Sequence, residues 1–251
     1  MSSSSLPLDG QAAIVTGSSR NVGRAIALAL AADGAAVVVN ARSDEDGATA
    51  VVAEIEAAGG KAIKHMADVT DEACVDAMAK ACIDAFGGIH ILINNAAIRR
   101  QQAIETMSLA DWRAVTAVIL DAAFLCARAS LPHMVAAGGG AIVNIGGISA
   151  HFGAVDRPHV VAAKAGVIGL TKAIAVDYAA RNVRANCVVP GTMDTTRGEN
   201  AHPVAPHPGG HQALIDRLGT PEELAAAVRY LCSPDAAYVT GQTLHVNGGR
   251  Y

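Results

Sequence analysis

The chain has 251 residues, 51% hydrophobic and 17% charged, which excludes a disordered polypeptide and is enough to bury a core without disulfides or metals. At ~150 residues per domain the length suits one large domain or two small ones, and no break in composition marks a second. The formal net charge is −4 and no Lys or Arg run occurs, so a general nucleic-acid surface is not expected.

Residues 1–7 open with four serines and lack the positive and apolar regions of a signal peptide, so they read as a flexible tail. Residues 12–16 form a short apolar strand, followed by a Gly-containing loop and a helix from about 22 to 32. The unbroken apolar run within that helix, residues 25–32, is far short of the ~20 residues that span a bilayer, so no membrane segment is expected. A second buried strand covers 36–40 and a helix 44–58, closed by Gly59-Gly60. A third strand, 61–66, leads to a helix over 71–86 and a fourth strand over 89–94. A long helix runs from Ser108 to about 135 and stops at Gly138-Gly139-Gly140. Strand 141–145, helix 158–180 and strand 184–189 follow. Residues 191–218 are rich in Pro, Gly and His and read as a substrate loop or lid. Thr220-Pro221-Glu222-Glu223 is a strong helix start, combining a cap, an early Pro and acids at the positive end of the dipole. A last strand covers 242–246.

Strands alternating with helices of 10 to 20 residues imply right-handed crossovers and one doubly wound parallel sheet of about seven strands, an α/β Rossmann-type fold in a single domain over 1–251. The five cysteines, Cys74, Cys82, Cys126, Cys187 and Cys232, are dispersed without a C-x-x-C pair, which suggests buried free thiols in a reducing, cytoplasmic setting.

The loop after the first strand, Thr16-Gly17-Ser18-Ser19-Arg20-Asn21-Val22-Gly23, suits a pyrophosphate. Glycines let the backbone approach, and the helix start offers amides and partial positive charge. At this point the sequence resembles the short-chain dehydrogenase/reductase family over residues 8–249. The loop is similar to that family's T-G-x-x-x-G-x-G with Asn21 in place of the middle Gly, a residue that tolerates left-handed backbone. Asp68-Val69 resembles the acidic pair near the adenine. Asn94-Asn95-Ala96-Ala97 resembles N-N-A-G. Pro190-Gly191-Thr192-Met193-Asp194-Thr195 resembles P-G-x-x-x-T, and residues 239–249 resemble the closing strand. The resemblance implies dinucleotide contacts from Gly17, Ser19, Arg20, Asn21, Val22, Gly23, Arg42, Asp68, Val69, Asn95, Ala96, Lys164, Pro190, Gly191 and Thr195. It also implies a homotetramer or homodimer formed through the two long helices.

Charge argues for the cofactor's phosphate state. Ala41 stands where an NAD enzyme usually offers a carboxylate, Arg42 follows it, and Arg20 is a second cation. NADP(H) is therefore favoured over NAD(H). The competing reading leaves both arginines solvated or pairs them with Asp44 and Glu45.

The family's catalytic positions do not carry over. Lys164 matches the Lys. Val160, four residues before it, takes the Tyr position, Gly147 the Ser position and Ile119 the Asn position. Ser149 is two residues late. His159 neighbours Val160 but lies about 140° around the helix from Lys164. His151, and Asp156 beside it, stand in the loop before that helix. His151 and His159 are the substrate-side candidates, each with pocket-wall or capping roles as the plainer alternative. Arg99-Arg100-Gln101 is a candidate anion clamp or a solvated loop. His202, His207 and His211 suit a mobile segment better than a metal site, and none is expected. Asp177 and Arg181 suggest an i, i+4 ion pair.

These readings imply an NADP(H)-dependent oxidoreductase acting on a small carbonyl or alcohol through a non-standard site. Two alternatives are kept: a silent nucleotide-binding pseudoenzyme or regulatory subunit, and a non-redox lyase on the same scaffold.

Overall fold

In a computed structural model, which describes residues 6–195 and 213–250, seven parallel strands form one sheet flanked by helices on both faces. In chain order these are β1 (Ala12–Val15), α1 (Asn21–Ala32), β2 (Ala36–Ala41), α2 (Glu45–Ala57), β3 (Lys61–Met66), α3 (Glu72–Phe86) and β4 (Ile91–Asn94). There follow α4 (Leu109–Thr116), a π turn (Ala117–Asp121), α5 (Ala122–Ala136), β5 (Gly140–Ile145) and α6 (Ser149–Phe152). The last are α7 (Pro158–Tyr178), β6 (Val183–Pro190), α8 (Pro221–Cys232) and β7 (Thr243–Val246). The sheet order is β3-β2-β1-β4-β5-β6-β7, so the winding reverses between β1 and β4. Such a reversal opens a crevice at the carboxyl edge.

Each central strand is apolar on both sides because each side is covered. Ala13, Val15, Val37, Ile91, Ile93 and Val143 face one layer, where Ile26 and Leu30 of α1 meet Leu224 and Val228 of α8. Their neighbours Ile14, Val38, Leu92 and Ile142 face the other, against Met78 of α3, Met134 of α5 and Ile174 of α7. A third apolar cluster lies between α4, the π turn and α7: Val115, Ile119, Ala123, Val160, Ala163 and Val167.

The strand and helix boundaries fall within two residues of those expected. Two local features lay outside the sequence reading. The long helix is broken by the π turn, where Ala122 donates its amide to the Ala117 carbonyl, and a one-turn helix, α6, fills the segment after β5. Against the expectation of no membrane segment, two helices, Leu109–Ala136 and Pro158–Arg181, are by length and composition alone apolar enough to cross a bilayer. In each, 44% of the most apolar window is buried within this fold. Arg181 and Asp177 do not make the expected ion pair. Arg181 donates to the Asp177 carbonyl at 3.1 Å and lies over the Tyr178 ring at 4.1 Å, because the chain leaves the α-helix after Tyr178. All five cysteines are free, and all but Cys74 are buried. Residues 1–5, and the histidines 202, 207 and 211 with most of the 191–218 loop, lie outside the described residues. Where its two ends return they are tied together, the Gly219 amide donating to the Thr192 carbonyl at 3.0 Å.

Candidate active site

The loop between β1 and α1 is held open by side chains from three strands. Thr16 Oγ1 donates to the Ile93 carbonyl at 3.2 Å and accepts from the amides of Asn95 and Ala96. Asn95 Nδ2 donates to the carbonyls of Thr16 and Gly17, both at 2.9 Å. Asn40, buried at the end of β2, accepts from the Gly17 amide at 3.2 Å and donates to the carbonyls of His65 and Ala67. Ser18 Oγ completes the frame by donating to the Val15 carbonyl and accepting from the Asn40 amide. Gly17 (φ +61°) and Asn21 (φ +52°) take the left-handed turns that reverse the chain. Gly23 sits where a Cβ would lie 2.2 Å from the Gly17 carbonyl oxygen and 2.6 Å from Asn95 Nδ2. Only a hydrogen fits there, so α1 starts flush against the loop with its first amides directed at the crevice. Ser19 is buried beside Ser18, whereas Arg20, at the N-cap, is exposed and does not cap the helix with its side chain.

At the end of β2, Arg42 points outward and stands 3.9 Å from Asp68. The competing partners are engaged elsewhere: Asp44 caps α2 by accepting the Gly47 amide at 3.2 Å, and Glu45 binds Lys64 at 2.8 Å. Asp68 accepts the Thr70 amide and hydroxyl at 3.0 and 2.7 Å, and these bonds, with Arg42 adding to them, hold its carboxyl below the usual range. Val69 is buried beside it.

On the far side of the crevice, Lys164 projects from α7 and is 8% exposed. Its Nζ donates to the Ile145 carbonyl at 2.5 Å. Burial, reinforced by the nearby Arg99 and opposed by Cys187, lowers its pKa to about 8. Cys187 is itself pushed up to about 11 by burial. Gly147 faces Lys164: a Cβ there would meet Lys164 Cγ at 3.5 Å and Ser149 Oγ at 3.7 Å, ordinary contact distances. Ser149, set aside on spacing, thus presents its hydroxyl beside the empty Ser position, carried there by α6. Val160 and Ile119 are sealed in the apolar cluster between α4 and α7, so both positions are filled by hydrocarbon.

The two histidine candidates occupy separate neighbourhoods. His159 is fully buried, with the Arg157 backbone as its hydrogen-bonding neighbour. Burial lowers its pKa, and the charges it feels are Arg100 and Asp111, not Lys164. The Asp156 backbone carbonyl accepts the Gln102 amide at 2.7 Å. Arg100 itself stands 3.8 Å from Asp111. His151, on α6, packs against His245 of β7 with ring centroids 4.5 Å apart. Pro190 ends β6, and the Gly191 amide donates to the Val246 carbonyl at 2.9 Å; a Cβ on Gly191 would lie 2.7 Å from Asn247 Cα. Thr195 is half-buried at the end of the described segment.

One buried polar ladder escaped the sequence reading. Asn94 Nδ2 donates to Asn144 Oδ1, and Asn144 Nδ2 donates to Thr171 Oγ1, both at 2.8 Å. It locks β4, β5 and α7 in register behind Lys164. Continuous apolar runs hide such residues, because a single Asn in a buried strand carries no periodic signal.

Comparison with known proteins adds to this geometry. The family described as Enoyl-(Acyl carrier protein) reductase matches residues 17–250. A 3-oxoacyl-[acyl-carrier-protein] reductase of Synechocystis sp. is 43% identical, covering 96% of this chain and 97% of that protein. A (2S)-[(R)-hydroxy(phenyl)methyl]succinyl-CoA dehydrogenase subunit of Thauera aromatica is 38% identical, covering 97% of both. The crystal structure of a dehydrogenase/reductase from Sinorhizobium meliloti superposes with a TM-score of 0.88 at 35% identity, covering 98% of this chain and 97% of that one.

Proposed function

The chain belongs to the short-chain dehydrogenase/reductase family of oxidoreductases, and on that premise we propose that it is a cytoplasmic, NADP(H)-binding enzyme acting on a small carbonyl or alcohol through a non-standard site. The observation that carries this reading is the tightly framed β1–α1 loop at the switch point, across the crevice from Lys164. The residues present fit the cofactor in that a Cβ at Gly23 or Gly191 would run into neighbouring backbone, so both loops pass tightly at the switch point, where a dinucleotide binds in such sheets. When bound, the nicotinamide supplies or accepts hydride. Gly17, Ser19, Asn21, Val22 and Gly23 line the pyrophosphate side, with Asn95 and Ala96 behind them. Arg20 and Arg42 offer two guanidinium groups to a 2′-phosphate, which favours NADP(H). Asp68 and Val69 border the adenine, and Pro190, Gly191 and Thr195 border the nicotinamide.

The chain's own residues then divide the carbonyl chemistry. Lys164 Nζ, whose pKa of about 8 lets it hold or release a proton near neutrality, serves the ribose hydroxyls and the reacting oxygen. Ser149 Oγ, beside Gly147, orients that oxygen in place of the absent Ser side chain. His151 lines the substrate side, and His159 supports the wall behind it. Relatives of this family imply a homotetramer or homodimer, which we assign to the faces of α5 and α7 carrying the exposed Phe124 and Val176.

Binding of NADPH and NADH, followed by nicotinamide fluorescence, tests this fit. NADPH is expected to bind more tightly, and a panel of ketones and aldehydes should show turnover above a Lys164→Ala control. Failure of both nucleotides to bind ends the reading. The hydrocarbon seal at Val160 and Ile119 favours a second reading, a silent nucleotide-binding subunit, which tight NADPH binding with an empty panel would support.

A further inference from the structure

The chain carries five lysines, Lys61, Lys64, Lys80, Lys164 and Lys172. Four are exposed, and Lys164 alone is buried. One turn to either side of it on α7 stand Val160, Val161, Val167 and Ile168, so the helical neighbours of its stem are hydrocarbon. Its Nζ donates to the Ile145 backbone carbonyl, an uncharged acceptor. Cys187, close enough to act on its charge, has its thiol pushed up to about 11 by burial and is therefore neutral at pH 7. An ammonium desolvated in this way gives up a proton more readily, and the free amine is a nucleophile. There is room for an electrophile beside it. Gly147 and Ser149 are partly exposed. A Cβ on Gly147 would still stand 3.5 Å from Lys164 Cγ and 3.8 Å from Cδ, so the side chain missing there leaves that flank of the lysine open. The Ser149 hydroxyl borders the same space, 3.7 Å from that Cβ position, and a hydroxyl can donate to a carbonyl oxygen. Val160 puts a buried hydrocarbon where the family carries its Tyr hydroxyl.

We propose that Lys164 is a nucleophile that condenses with a small aldehyde or ketone to form an imine, a covalent chemistry that goes beyond hydride transfer and needs no dinucleotide. The Nζ lone pair attacks the carbonyl carbon and forms the C–N bond, a proton passes from nitrogen to the former carbonyl oxygen, and loss of water breaks the C–O bond. The test traps the imine. The full-length protein, without nucleotide, is incubated at pH 7 with propionaldehyde or acetone and sodium cyanoborohydride, the added reductant that delivers hydride to the imine carbon. Peptide mass spectrometry then reads which lysines are alkylated. Lys164 should react at least about tenfold faster than Lys61, Lys64, Lys80 and Lys172. With its pKa at about 8, about a tenth of it is free amine at pH 7, against about a thousandth or less at a lysine's ordinary value, and burial gives back part of that advantage. Lys164→Arg should remove the fast adduct while a melting curve shows the variant folded, and Lys172→Arg should leave it in place. A rate at Lys164 no greater than at the exposed lysines overturns the proposal, as does a fast adduct that persists in Lys164→Arg. NADPH binding to the same protein keeps the two readings apart. Fast trapping without nucleotide affinity leaves the imine standing and removes the dinucleotide reading, and nucleotide affinity with slow trapping does the reverse.

Discussion

Lys164 is a buried lysine whose charged form the fold disfavours. Its pKa is about 8 folded against 10.5 unfolded, so the native state holds fewer protons between those values. The stability this group allows is complete above pH 10.5 and is lost as pH falls toward 8. At neutral pH the penalty is about 3 kcal/mol, at 1.36 kcal/mol per pKa unit. Lys164→Met should therefore raise stability by roughly 1–3 kcal/mol in urea melts at pH 7, with the gain shrinking near pH 10, while nucleotide affinity falls. At Gly147 a Cβ meets nothing closer than 3.5 Å, so Gly147→Ser should be tolerated. Combined with Val160→Tyr it should raise carbonyl reduction by about 10²–10⁴-fold, the usual worth of acid–base help; a double variant that folds, binds NADPH and gains nothing would show that the pocket cannot place a carbonyl. Lys164, Gly147, Val160 and Ile119 are picked out in the sequence by the resemblance, which sets them at the positions of the family's motif. Ser149 was not, since two residues of offset in a chain say nothing of a helical turn that swings the hydroxyl back.

The elements were legible for a different reason. Asp71 accepts the Cys74 amide, Ser108 the Asp111 amide and Thr220 the Glu223 amide, three helix starts written in side chains that compete for their own backbone. At α8 the capping box is complete, and Arg217 draws the Glu223 carboxyl down to about 2. Thr220→Ala should cost about 1 kcal/mol in thermal unfolding. The start of α1 obeys another rule: the Arg20 side chain does not cap it, and close packing at Gly23 sets it against the bonded loop. Gly23→Ala would drive a methyl into the Gly17 carbonyl and Asn95. NADPH binding should weaken by at least about tenfold while the sheet still folds, a split that separate binding and melting curves would resolve. Asn40 shows the limit of such reading. It looks like one polar residue in an apolar strand, and its service to the loop appears only once β1, β2 and β3 are side by side.

For the whole molecule, acid is the weak direction. His65, His90, His159 and His245 all have pKa values lowered, chiefly by burial. Above their unfolded value of about 6.5 they are neutral in both states and cost nothing. As pH falls below it the unfolded chain takes up protons that the folded one refuses, so stability drains away through the folded pKa values. Melting temperature should decline from about pH 6.5 downward, and His159→Asn should flatten that decline. The fold order and both packed layers followed from strand–helix alternation, whereas the partition of the long helix between two layers did not. The π turn achieves it. One additional residue in a turn shifts the angular phase of everything beyond it by about 100°. Val115, before the slip, thereby meshes with Val167 of α7, while Met134, after it, meshes with the sheet and α3. A single rod is geared to two partners at different angles. Excising any one of residues 117–121 would straighten the rod and pull one of those two contacts out of mesh.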